Sequence, residues 1–169
     1  MVSIVQEPEK VLRQVAAQVP LAEIKSSNIQ RILEDMRVAL AGEDDGVAIA
    51  APQIAVSMRI FIIAQRASKK FTQDMVFINP EIIRIGKAKE DLSEGCLSVR
   101  WKYGLVRRSN TATVRAYNEH GNEFVMSGRG LLAQIFQHEI DHLDGILFID
   151  KARNVEDVPP EALNKQTKK

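Results

Sequence analysis

The sequence predicts an α+β fold in which strands precede a buried helix at the centre of the fold and an earlier helix packs outside it. Three observations predict it. Segments rich in β-branched and aromatic residues recur between Met58 and Met126 in the manner of strands. From about Leu131 the chain is apolar on two helical faces, which marks a buried helix. Between Ile29 and Leu40 one apolar stripe recurs at helical spacing, which marks a helix with a single face on the core.

Taken in order, residues 9–19 read as a short amphipathic helix stopped by Pro20. Ser27 to Gln30 fits a capping box, with Ser27 as the cap, and Ile29, Ile32, Leu33, Met36 and Leu40 follow on one face. Residues 46–53 are crowded with small side chains that let backbone lie close to a neighbour, and Pro52 excludes a helix interior. Strands are predicted at 58–64 and 75–78, with Asn79-Pro80 breaking the second and 81–85 resuming it. Ser93 to Ser98 is an unusual stretch that leads toward a strand around Leu105. Residues 112–117 and 123–126 form a hairpin whose turn carries His120 and Gly121. The buried helix then runs from Leu131, with Asp144-Gly145 as its stop.

One domain is expected over residues 1–150, followed by a tail, 151–169, that is mobile or a short terminal helix. A net charge of +1 gives no reason to propose nucleic acid as a partner. No apolar run approaches the roughly 20 residues that cross a bilayer, and residues 1–10 hold acids and Pro8 in place of an apolar leader. A cytoplasmic monomer with no membrane partner is therefore expected. The single cysteine excludes an internal disulfide and leaves a buried thiol, a metal ligand or a nucleophile.

The chemistry concentrates in Gln137 to His142, which holds two of the three histidines. Residues i and i+4 of a helix share a face, so His138 and His142 can bind one metal ion, with Glu139 close enough to move a proton. A plain core role for the two histidines is the alternative. A catalytic site of this kind uses three protein ligands and leaves a position open. The third can be Cys96, or a carboxylate such as Glu94, Asp141 or Asp144; Cys96 can equally be a small buried side chain.

Three segments together resemble the peptide deformylase family. Gly46 to Gln53 is similar to its Gly-aliphatic-Gly-aliphatic-Ala-Ala-x-Gln motif. Glu94 to Ser98 matches Glu-Gly-Cys-Leu-Ser, and Gln137 to His142 matches Gln-His-Glu-x-Asp-His. The resemblance implies antiparallel β-sheets around a central buried helix carrying the His-Glu-x-x-His motif. It implies removal of the N-formyl group from the N-terminal formylmethionine of new polypeptides, with release of formate. Cys96, His138 and His142 would hold one divalent metal, usually Fe²⁺ in the cell, with Zn²⁺, Ni²⁺ or Co²⁺ as substitutes. Glu139 would carry the proton, Gln53 and the Leu97 N–H would stabilise the oxyanion, and Glu94 would orient a ligand. Val47, Leu92, Leu131, Gln134 and Ile135 would line the methionine pocket. The implied partners are N-formylmethionyl peptides or nascent chains, with a transient ribosome contact.

Departures from the family pattern fall on the substrate side. Ala48 replaces the second motif glycine and would be strained if that position needs positive φ. Arg100 stands where proline is usual, Tyr103 where a glycine or basic residue is common, and Gln134 where an aliphatic residue is usual. Two other readings follow: a diverged relative with altered substrate or no catalysis, and a metallopeptidase using the same histidine motif.

Overall fold

Apolar periodicity builds two helices and eight strands in the computed structural model, which describes residues 2–159. The helices are α1 (Ser27–Ala41) and α2 (Leu131–Leu143). The strands are β1 (Ala48–Ala50), β2 (Ile60–Ile63), β3 (Met75–Ile85), β4 (Lys89–Cys96), β5 (Val99–Ser109), β6 (Thr111–Tyr117), β7 (Glu123–Arg129) and β8 (Arg153–Asp157). They form a five-stranded sheet ordered β1-β2-β3-β6-β7 and a three-stranded sheet ordered β4-β5-β8, with every ladder antiparallel. The fold is α+β, as expected.

The all-apolar run of β2 has a direct cause. Ile60 and Ile62 pack with Ile29, Leu33 and Met36 of α1, whereas Phe61 and Ile63 pack with Ile135, Phe136 and Ile140 of α2. Successive side chains of a strand point to opposite faces, so β2 must be apolar on both. Phe61 stacks on Phe77 at 4.4 Å, and Phe136 meets Phe77 edge-on at 5.5 Å. A third cluster, Leu12, Val99, Val106, Leu147 and Phe148, fills the space beneath the smaller sheet.

Several local expectations change. The helix expected over 9–19 shrinks to one 3-10 turn, Lys10–Arg13, because the following donors go elsewhere. Ala16 N–H donates to Leu143 O and Ala17 N–H to Ser57 O, so the rest of the protein holds this segment extended. The α1 cap is Ser26, not Ser27: its hydroxyl accepts from Ile29 N–H at 3.3 Å. Gln30 reaches Ile24 O and Glu119 O in place of the cap. Asn79-Pro80 bends β3 without ending it. Asn79 sits at φ 51° in a register shift, and its side chain exchanges two 2.8 Å hydrogen bonds with the Val19 backbone. A bulge of this kind tolerates a proline that a regular inner strand would not.

The largest correction concerns the tail. Residues 153–157 are not helical; they form β8, pairing Lys102 with Asp157 and Leu105 with Arg153. The strand is held by backbone hydrogen bonds while all five of its side chains are exposed, so no apolar pattern announces it. The smaller sheet therefore includes residues past 150. The expected terminal helix beyond residue 159 lies outside the described residues. Among the described residues no helix is long and apolar enough to cross a membrane.

Candidate metal centre

The α2 spacing brings His138 and His142 together, and the end of β4 brings Cys96 to them. Their ligand atoms all lie within 4.8 Å of one another, with Cys96 Sγ 3.1 Å from His142 Nε2. His138 Nδ1 hydrogen-bonds Glu94 Oε2 at 2.9 Å, which leaves its Nε2 as the nitrogen free to bind an ion. Burial alone would raise the Cys96 pKa, but the charge of His142 and hydrogen bonds from both histidines bring it down to about 5. One thiolate and two imidazoles suit a borderline-soft divalent ion, so these residues fit the metal that the motif implies.

Glu94 is a buried carboxylate with four donors. Arg108 grips it at 2.7 and 3.0 Å, His138 at 2.9 Å and Gln134 at 3.4 Å. Burial opposes its charge, yet the His138 and Arg108 hydrogen bonds outweigh this and hold its pKa at about 2. Arg108 turns its remaining nitrogen to Asp141 at 2.6 Å, and Asp141 takes Lys151 at 2.7 Å. Sequence reading missed Arg108, because a buried arginine in a strand leaves no periodic signal.

Glu139 is only 4% exposed, and its Oε2 has no hydrogen-bond partner among the described residues. Burial is the leading cause that pushes its pKa up, despite the two histidines nearby. Gln53 is equally buried. Its Oε1 accepts from Ala50 N–H at 2.9 Å, and its amide donates to Ser98 Oγ at 3.1 Å and faces Cys96 Sγ at 3.6 Å. The Leu97 N–H, in the tight turn between β4 and β5, meets no acceptor among the described residues.

A cavity of about 270 Å³ opens onto Cys96, His138, Glu139 and Gln53. Val47, Leu131, Gln134 and Ile135 line it; Leu92 does not. Leu92 stands two residues before Glu94, which displaces it by about 6–7 Å along the strand. Gly95 carries no side chain because a Cβ there would lie 2.6 Å from the Tyr103 ring. Ala48 does not take positive φ, so the strain expected for it is absent. Its place in an extended three-residue strand explains why a methyl group is accommodated.

A family model described as polypeptide deformylase matches residues 1–158. The chain belongs to the polypeptide deformylase family. A peptide deformylase of Carboxydothermus hydrogenoformans is 41% identical over 152 residues, covering 90% of this chain and 93% of that protein. One of Desulforudis audaxviator is 40% identical over 152 residues, covering 90% and 94%. Among solved structures, an actinonin-bound class I type b peptide deformylase of Acinetobacter baumannii superposes with a TM-score of 0.82. It is 33% identical and covers 90% of this chain and 98% of that one. The deformylase family consists of metal-dependent amide hydrolases that act on peptides.

Proposed function

We propose that this chain removes the N-formyl group from N-formylmethionyl peptides and nascent chains and releases formate. The observation that carries this reading is the convergence of Cys96, His138 and His142 beside a buried Glu139 with an unpaired oxygen. The three ligands would hold one divalent ion, Fe²⁺ in the cell, with Zn²⁺, Ni²⁺ or Co²⁺ able to replace it. Such an ion supplies Lewis acidity, bringing the pKa of water from 15.7 to about 7.

The chain's own groups do the rest. Glu139 takes the proton of the attacking water and delivers it to the departing amine. A carboxyl whose pKa burial has raised can hold that proton between the two transfers. The Gln53 amide and the Leu97 N–H donate to the formyl oxygen as negative charge develops on it. Glu94 fixes the tautomer and orientation of the His138 ring. Val47, Leu131, Gln134 and Ile135 take the methionine side chain; the Leu92 position outside the cavity favours leaving it out of this set. The wider reading is of a cytoplasmic monomer that visits the ribosome transiently, with α2 as the centre of the fold. Contacts of α2 with strands of both sheets support that last point.

A metallopeptidase would use the same histidine motif, but a cysteine third ligand disfavours it. Anaerobically purified protein given formyl-Met-Ala-Ser should release formate while carrying about one metal per chain. Cleavage between Met and Ala would favour the peptidase reading, and no reaction by metal-loaded protein would favour a non-catalytic relative.

A further inference from the structure

The register of the smaller sheet changes at the cavity mouth. From Glu94 to Cys96 β4 advances two residues, while its partner β5 spans five, between Val99 and Gly104. The surplus bulges out over residues 100–103. A regular strand would turn alternate side chains away, but here Arg100, Trp101, Lys102 and Tyr103 all line the cavity. Trp101 sits at φ 65°, a conformation that bulky side chains seldom adopt.

This bulge is held from two sides. On one, Val158 N–H donates to Trp101 O at 2.7 Å and Lys102 pairs with Asp157 at 3.0 Å. On the other, Arg100 reaches across the mouth to form a close ion pair with Glu43, and lies 3.5 Å from Asp45. Its guanidinium also lies 5.5 Å from the centre of the Trp101 ring. Glu43 and Asp45 belong to the loop that leads into Val47 and Ala48 on the facing wall. Arg66 fastens that loop from behind, donating to Leu40 O at 3.1 Å, to Glu43 O at 2.7 Å and to Gly46 O. Among the described residues, the Arg100 pairs are the only hydrogen bonds or ion pairs that join residues 43–46 to residues 97–103.

We propose that Arg100 is a positioning residue for substrate: its pairs with Glu43 and Asp45 clasp the two walls of the mouth and set how firmly the peptide is held. The identity of the peptide rests on the deformylase reading; the clasp does not. Arg100 and Glu43 are 23% and 29% exposed, so the pair is partly shielded from solvent and salt. The clasp touches no group that exchanges a proton, so its loss acts on binding and leaves the chemical step alone.

Arg100→Ala should raise KM for formyl-Met-Ala-Ser about five-fold, the scale of one partly exposed ion pair, with kcat nearly unchanged. Glu43→Gln should do the same from the other wall. The charge-reversed pair, Arg100→Glu with Glu43→Arg, should bring KM back toward the wild-type value, which ties the effect to the pair; a rise in KM at constant kcat is what a merely structural role would not give. Trp101 is the chain's single tryptophan, so its emission should shift to the red in Arg100→Ala while metal content stays constant. Affinity for Met-Ala-Ser, measured by calorimetry, should weaken by the same factor as KM rises. A chain that binds this peptide in an Arg100-dependent way yet releases no formate keeps the clasp and loses the reaction. Unchanged KM and peptide affinity in both single variants would overturn the clasp. So would a fall in kcat at constant KM, or a Trp101 emission that Arg100→Ala leaves unchanged; a wild-type chain that binds no Met-Ala-Ser would overturn the deformylase reading instead.

Discussion

Glu139 and Cys96 differ in what their surroundings do to a proton. Glu139 has no cation in contact with its Oε2, and burial pushes its pKa up. Cys96 lies 3.1 Å from an imidazole, and the charge beside it overrides burial and brings the thiol to about 5. Each residue thus suits a separate task, one to carry a proton and one to bind a metal as thiolate. Glu139→Ala is expected to keep about one metal per chain and lose turnover by roughly 10²–10⁴-fold, measured as formate release beside metal content. Substantial remaining turnover would remove Glu139 from its role. Cys96→Ala is expected to weaken metal binding sharply, read by competition with a chelator. Undiminished affinity would place the third ligand elsewhere.

At the level of elements, strand β4 and helix α2 are joined through charge. Arg108 on β5 is 3% exposed and bridges Glu94 of β4 to Asp141 of α2. Removing it leaves two carboxylates without their main partner, one of them deeply buried. Arg108→Ala is therefore expected to cost about 3–5 kcal/mol, read from the urea unfolding midpoint. A weaker link ties Arg13 to Asp150. Asp150 accepts from Arg13 at 2.5 Å and from Leu147 N–H at 2.9 Å; despite the opposing effect of burial, its pKa falls below the ordinary 3.8. A lowered carboxyl pKa means the stabilisation is complete above the ordinary value and disappears as pH falls through the folded one. Asp150→Asn should lower stability by roughly 0.2–1 kcal/mol at pH 7, because the pair is exposed. Wild type and variant should converge in urea midpoint as pH falls below the ordinary 3.8 and through the lower folded pKa.

At the scale of the whole molecule, metal binding would be linked to folding, because the proposed ligands come from β4 and α2, with His138 42 positions after Cys96. An unfolded chain holds no such cluster, so an ion bound there would stabilise the fold. Stripping it with a chelator is expected to lower the unfolding temperature. The loss corresponds to about 2.7 kcal/mol when free metal had stood at 100 times its dissociation constant. An unfolding temperature unchanged by chelation would mean that the three groups do not hold an ion in the folded state. The proposed ligands Cys96 and His138 and the buried Glu139 line the cavity together with Arg100, Trp101 and Gln134.

Local pattern determined much of this protein. Helical spacing placed His138 and His142 on one face, apolar stripes located α1 and α2, and the hairpin turn at Gly121 read directly, since it takes φ 81°. These features depend on residues within a turn or two of one another, so the sequence carries them openly. Three others were decided only by the tertiary structure. The β8 strand is specified by backbone hydrogen bonds to β5, which impose no demand on side-chain polarity. The pairing of Arg108 with Glu94 and Asp141 depends on two chain crossings that no periodicity encodes. The exclusion of Leu92 from the cavity follows from its distance along β4, and the inclusion of four consecutive residues from Arg100 follows from strand register and a bulge. A register shift of one residue reverses which face a side chain occupies, and register is settled by the partner strand.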